Sequence, residues 1–369
     1  MQRTSLLVVG AGPYGLSTAA LARERGIDSV LVGRPMGFWK EHMPAGMFLR
    51  SGPDWHLDAG GIHTFEAFLE DRAIAAAEVD PIPLGLFVDY AEWFQRAKGL
   101  EVREDLVVEL TKPDGTFEAT LESGETIEAD AVVAAPGISQ FTNLPPWAGR
   151  VPEGVGVHTC DLVEFEGFSG ARVLIVGGRQ SAYEWAALIG EHGAERIDIV
   201  HRHDVPRFEK VSWKFVDEYI DHTLETPGWW RNLPQTDRDA VARKFWEVGR
   251  LTLEWWLTPR LAGERFCRHP GTEVVDIVGS HVALSNGERL EVDRVVFATG
   301  YRADLSRVPY LQELDIQTAD GFPVLSESFE SSIPGLHITG FAATRDFGPF
   351  FGFVRASAAA AALIVNDLL

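Results

Sequence analysis

Two short stretches carry residue types that can hold a phosphate. Gly10-Ala11-Gly12-Pro13-Tyr14-Gly15 follows the apolar run Leu6-Leu7-Val8-Val9, and Gly177-Gly178-Arg179-Gln180-Ser181-Ala182 follows Arg172-Val173-Leu174-Ile175-Val176. Apolar runs of this kind form buried parallel strands. Residues 16–25 and 183–192 then read as helices. In such a strand–loop–helix unit the first glycine permits a tight turn. The second lets a pyrophosphate approach the backbone, and the third lets the helix pack on the strand. Free N–H groups at the helix start favour an anion. One such loop is weak evidence. Two in tandem point to one chain holding two nucleotides face to face, as electron transfer from a nicotinamide to a flavin requires. Gly10, Gly12, Pro13, Tyr14 and Gly15 are the candidate contacts at one loop, and Gly177, Arg179, Gln180 and Ser181 at the other.

Both loops depart from the full pattern. The strand after the first loop, Ser29-Val30-Leu31-Val32, ends in Gly33-Arg34, where an acid normally holds the ribose hydroxyls. In the second loop Arg179 stands at the second glycine position, where its Cβ can hinder a pyrophosphate. Its guanidinium either binds that phosphate or points to solvent. The next strand, residues 196–200, ends in His201-Arg202-His203 without an acid. Arg202 is placed for a 2′-phosphate, favouring NADPH over NADH, or is a solvated loop arginine.

The elements around the loops repeat. Residues 107–133 alternate, with turns at Asp114-Gly115 and Ser123-Gly124, and end in Ala134-Ala135-Pro136-Gly137. Residues 273–296 do the same, with a turn at Asn286-Gly287, and end in Phe297-Ala298-Thr299-Gly300-Tyr301. The expected fold is α/β, with two Rossmann-like dinucleotide-binding domains. Residues 1–150 plus 301–369 form the first and 151–300 the second, with a helical, Trp-rich insert at 205–268. Trp213, Trp229, Trp230, Trp246, Trp255 and Trp256 in that insert are either a packed core or a substrate-cavity wall. Gly340, Phe341 and Phe350 precede the last helix, whose N-terminus is expected to face a flavin's pyrimidine edge.

Composition narrows the partners. The net charge of −21 argues against nucleic acid or an anionic membrane. Residues 353–369 are apolar but too short to span a bilayer. Only Cys160 and Cys267 are present and no C-x-x-C occurs, so a redox-active disulfide of that type is absent. Cysteine poverty fits a reducing cytoplasm. The expected partners are a small-molecule substrate and O2, and a homodimer is compatible with the sequence.

These residues resemble the class B flavin-dependent monooxygenases, of flavin-containing and N-hydroxylating type. The resemblance rests on the two loops, on Gly37-Phe38-Trp39 with Leu49-Arg50-Ser51, on Gly154-x-x-x-His158, and on Asp293-x-x-x-Phe297-Ala298-Thr299-Gly300-Tyr301. Pro152, Leu162 and Ser306 stand where the family's motifs carry other residues. The resemblance implies FAD at the first loop and NADPH at the second. It implies a C4a-(hydro)peroxyflavin that transfers one oxygen atom to a small amine, sulfide or aromatic heterocycle. The rival is a flavin reductase or dehydrogenase feeding a quinone or protein acceptor. Trp39, Arg50 and Ser51 would then lie along the flavin, with Gly137, Gly300, Tyr301, Gly340, Phe341 and Phe350 as further cofactor contacts. Arg50, Asp54, His56 and Arg179 are the candidate catalytic side chains, each with a purely structural alternative.

Overall fold

The computed structural model describes residues 2–249 and 251–369. Two parallel-sheet units dominate it. The strand Gln2–Val9 pairs in parallel with Ser29–Val32 on one side and Thr126–Ala134 on the other. Val102–Arg103 extends this sheet at one edge, and Phe117–Leu121 and Val107–Thr111 extend it antiparallel at the other. Leu336–Ile338, more than 200 residues later in the chain, also joins Thr126–Ala134 in parallel. The second sheet has five parallel strands in the order Phe266–His269, Arg196–Val200, Arg172–Val176, Arg294–Phe297, Gly156–His158.

The strands are parallel because helices cross between them. Pro13–Glu24 connects the first two strands of one sheet, and Gln180–Glu191 does so in the other. Proline at the first helical position costs nothing there, since its missing N–H would have no intrahelical partner. The helix of residues 13–24 buries a continuous run from Gly15 to Ala22, packed against the C-terminal helix Ser357–Asp367. Ser17 and Ser357 meet across that contact at 3.1 Å, so two buried hydroxyls satisfy each other.

The hairpin turns expected from Asp-Gly and Asn-Gly pairs form. Asp114 and Gly115 both adopt positive φ, 49° and 88°, the conformation that matches the twist of the flanking strands. A separate three-stranded antiparallel sheet spans Val274 to Glu291.

The insert between the second sheet's strands is mixed rather than wholly helical. It holds helices Asp217–Glu225 and Gln235–Gly249, and two short strands, Arg207–Phe208 and Thr252–Leu253, that pair with each other. Three of its tryptophans, Trp213, Trp230 and Trp256, are buried as packing. Trp230 meets Phe350 edge-on at 5.8 Å, and Trp213 lies 5.4 Å from Phe353. Trp246 and Trp255 are exposed. The insert's aromatics therefore serve chiefly to attach it to the segment before the last helix.

Candidate functional site

Both loops lie at the carboxyl ends of their sheets' central strands, between strands that run to either side. That is where open α/β sheets bind ligands. Val9 is paired with Val32 and Ala134, and Val176 with Val200 and Phe297, so the loops occupy equivalent positions. Their first glycines are obligatory. A Cβ on Gly10 would stand 2.3 Å from Ala135 O, and one on Gly177 would stand 2.3 Å from Ala298 O, at φ of 108° and 137°. Gly15 is tighter still, since its Cβ would fall 1.7 Å from Gly10 O.

The second positions have nearly the same backbone. Gly12 sits at φ −84°, ψ −171° and Arg179 at φ −105°, ψ −174°, each capping its helix without a side-chain bond. Nothing lies within 4 Å of where a Gly12 Cβ would be. The first loop is therefore a closely packed turn with open space at the one point where a pyrophosphate needs to approach. The second keeps that turn and adds a guanidinium.

The missing ribose acid has a steric reason. Gly33 holds φ 141°, and a Cβ there would be 2.9 Å from Ala11 N. Arg34, which follows, pairs with Glu41 at 2.9 Å on the surface.

Around the first loop, Tyr14 turns its hydroxyl to the carbonyls of Phe351 and Phe353, the latter at 2.9 Å. Burial raises its phenol well above the ordinary value, so it stays a donor. Gly340, at φ 77°, faces the Tyr14 ring. The neighbouring Thr339 carries a buried hydroxyl without a partner among the described residues. Trp39 packs edge-on to Phe87 at 4.9 Å, and Phe341 lies 6.1 Å from Phe141. Phe350 is fully buried in the aromatic contact with the insert, 5.6 Å from Tyr219. A packed glycine turn with one open position and an orphaned hydroxyl behind it fit a flavin dinucleotide.

Arg50 is directed at the insert. Its Nε donates to Glu254 at 2.8 Å, Nη1 to Gly249 O at 2.7 Å and Nη2 to Thr252 O at 2.8 Å. Ser51 beside it is half-buried. Asp54 contributes its carbonyl, which accepts from Arg355 at 2.9 Å, while Arg355 also grips Asp217 of the insert at 2.9 and 3.0 Å. His56 has a buried Nδ1 with no partner among the described residues. Burial first, and then the Arg355 charge, lower its pKa, which keeps the ring neutral. The structure thus separates these candidates. Asp54 and His56 gather around Arg355, and Arg50 ties down another part of the insert.

Gln180 donates to the fully buried Glu184 at 2.6 Å and accepts from Glu254 N at 3.1 Å, so the second loop is also pinned to the insert. Ser181 is exposed on the first helical turn. Gly137 and Gly300 both adopt positive φ, and Gly300 O faces His158 Nε2 at 3.1 Å. Tyr301 lies 5.4 Å from the His158 ring and 6.4 Å from Phe38. The two halves of the chain therefore meet at Tyr301. Arg202 is exposed, with a loose 3.7 Å approach to Glu273. Arg355, Thr339 and Glu254 had no local pattern to mark them, and Trp246 was marked only as one of the insert's tryptophans, because their roles arise from contacts between distant segments.

His201 fills the space above Gly178, whose Cβ would meet it at 2.4 Å. Its Nε2 accepts from the Tyr183 hydroxyl at 3.0 Å and its Nδ1–H donates to His203 O at 2.8 Å, which fixes a neutral tautomer. Burial, and then the nearby His203 charge, bring its pKa down to about 4. The unfolded value is near 6.5. This stabilisation is complete above the unfolded value and is lost as pH falls through the folded one. We expect the stability gap between the parent and His201→Gln to narrow by about 2 kcal/mol between pH 7.5 and pH 5. Thermal melts at both pH values measure it, and a constant gap would contradict the assignment.

The two cysteines occupy opposite edges of the five-stranded sheet, Cys267 on the strand Phe266–His269 and Cys160 just after Gly156–His158. Four strand spacings of about 4.8 Å separate those edges, far beyond the span of a disulfide. Among the described residues, no helix is long and apolar enough to cross a membrane.

Comparison with known proteins agrees with this architecture. The profile of the pyridine nucleotide-disulphide oxidoreductase family matches residues 7–226. A probable indole-3-pyruvate monooxygenase, YUCCA8 of Arabidopsis thaliana, is 26% identical over 377 residues, covering 91% of this chain and 83% of that protein. The ornithine N-hydroxylase of Kutzneria sp. 744, solved with reduced FAD, NADP+ and L-ornithine, superposes with a TM-score of 0.81 at 16% identity over 99% of both chains. A bacillithiol disulfide reductase of Staphylococcus aureus superposes at 0.71 and 19% identity over 100% of this chain and 99% of its own. At such identities the structural matches speak for the fold alone. The chain belongs to the pyridine nucleotide-disulphide oxidoreductase family, in the two-nucleotide-domain form that class B flavin-dependent monooxygenases share.

Proposed function

We propose that this chain is an NADPH- and FAD-dependent monooxygenase that transfers one oxygen atom from O2 to a small amine, sulfide or aromatic heterocycle. The observation that carries the reading is the pair of equivalent loops, one open at Gly12 and the other bearing Arg179 and close to Arg202. Relatives matching most of the chain are monooxygenases, and the separated cysteines give no support to disulfide chemistry.

Bound FAD supplies the redox chemistry, accepting hydride from NADPH and activating oxygen. The protein's part is to bind, orient and exclude water. Gly10 to Gly15 would hold the FAD pyrophosphate, with Gly340 and Thr339 behind it. Gly177, Gln180, Ser181, Arg179 and Arg202 would hold NADPH. Phe347, Phe350 and Phe351, all buried, form a dry wall with the insert. His56, kept neutral, is the candidate for passing a proton at Nδ1, with Arg355 orienting the segment around it. We place the enzyme in the cytoplasm, acting on a small molecule.

Stopped-flow absorbance tests the reading. Protein reduced by NADPH without oxygen and mixed with aerated buffer should pass through a near-ultraviolet species distinct from oxidised and reduced flavin. Substrate should then divert reducing equivalents from hydrogen peroxide to product. Full hydrogen peroxide release with every substrate class, alongside fast turnover with quinones, would replace this reading with that of a reductase.

A further inference from the structure

The second loop shows how the chain copes with an arginine where a glycine is usual. The Arg179 guanidinium carbon lies 3.9 Å from the centre of the Trp246 ring, and Trp246 comes from the insert helix Gln235–Gly249. Among the described residues Arg179 has no acidic partner and no hydrogen bond from its side chain. The charge that reaches it is the positive one of Arg202. Arg202 itself is highly exposed and approaches Glu273 loosely, at 3.7 Å. In a chain with 54 acidic and 33 basic side chains, an arginine that feels a second arginine and has no carboxylate partner among the described residues is poorly explained by stability. Like charges placed together suit a ligand that brings its own negative charge.

The stack decides which edge of Arg179 is free. A guanidinium lying on an aromatic ring keeps its N–H donors in the plane and directed sideways, and gains attraction from the ring face. The loop backbone at Arg179 retains the extended conformation of Gly12, so the turn itself is preserved. Burial against its neighbours and the Arg202 charge draw the Arg179 pKa down to about 10, still cationic near neutral pH.

We propose that Trp246 is a positioning residue for NADPH: it holds Arg179 so that the guanidinium edge takes the dinucleotide's pyrophosphate, while Arg202 takes the 2′-phosphate. The proposal rests on the nicotinamide reading of the second loop. It assigns the insert a role in cofactor recognition in addition to packing.

The test is equilibrium binding of NADP+ and of adenosine 2′-monophosphate to FAD-loaded protein, followed by flavin fluorescence or calorimetry. Trp246→Ala should weaken NADP+ about three- to fivefold, the range of an exposed cation–π contact. Trp246→Phe, which keeps an aromatic face, should stay within about twofold of the parent. Adenosine 2′-monophosphate lacks the pyrophosphate, so Trp246→Ala should leave its affinity unchanged while Arg202→Ala weakens it. Retained FAD in each variant shows that the fold is intact. Unchanged NADP+ affinity in Trp246→Ala, or an equal loss for both ligands, overturns the proposal alone. Parent protein that binds no NADP+ overturns the nicotinamide reading and this proposal with it.

Discussion

Replacing Glu254 with alanine is expected to lower the stability of the folded chain by about 3–5 kcal/mol, the range for a buried ion pair that loses one partner. Glu254 is almost wholly buried and its mate Arg50 largely so, with side-chain exposures of 3% and 19%. Burial outweighs attraction at both ends, raising the Glu254 carboxyl and lowering the Arg50 guanidinium from their ordinary values. The pair is thus a weak stabiliser when intact and an expensive one to break, because the survivor stays desolvated. Arg50 also donates to the carbonyls of Gly249 and Thr252, so Arg50→Met with Glu254→Leu should recover only part of the loss. Chemical denaturation of the three proteins measures this. A Glu254→Ala loss below about 1 kcal/mol would mean that water reaches the pair.

The second large effect separates folding from cofactor binding within one loop. Gly15→Ala places a methyl 1.7 Å from Gly10 O, so the helix Pro13–Glu24 must move away from its strand. That helix carries a long buried face, and its displacement should cost more than 4 kcal/mol, beyond the ordinary range for single substitutions. Gly12→Ala meets no protein atom within 4 Å and sits at a φ that any residue adopts. It should leave the melting of the flavin-free protein within about 0.5 kcal/mol of the parent while reducing FAD retention tenfold or more, since the methyl occupies the approach to the turn. The readouts are flavin content per chain and the melt of flavin-free protein. Full FAD occupancy in Gly12→Ala would remove the pyrophosphate from this loop.

The loops, the hairpin turns at Asp114-Gly115 and Asn286-Gly287, and the repetition of two parallel units were all legible in the sequence, because each depends on local spacing and on glycine at fixed offsets. The helix starts lay a few residues earlier than periodicity suggests, since Pro13 and Gln180 belong to the first turns. Arg50 was legible as a residue of interest, but its direction was not. Its partners lie about 200 residues away in the insert, whose own pattern does not reveal what it touches. The same holds for Arg355, which joins Asp54 and Asp217, and for Trp246, which a helical pattern alone marks as one more surface aromatic. Contacts between an insert and a distant segment leave no periodic trace.

The stitching of the insert to the first sheet unit has a kinetic consequence. The insert interrupts the second unit, yet it is fastened to the first by the Arg50–Glu254 pair and by Arg355–Asp217. Any swinging apart of the two units must open those links together. Opening returns both partners of the buried pair to water, so this link resists separation by less than the cost of truncating one partner. Weakening either link should therefore ease that opening, read as faster hydrogen exchange at the backbone amides where the insert meets the first unit.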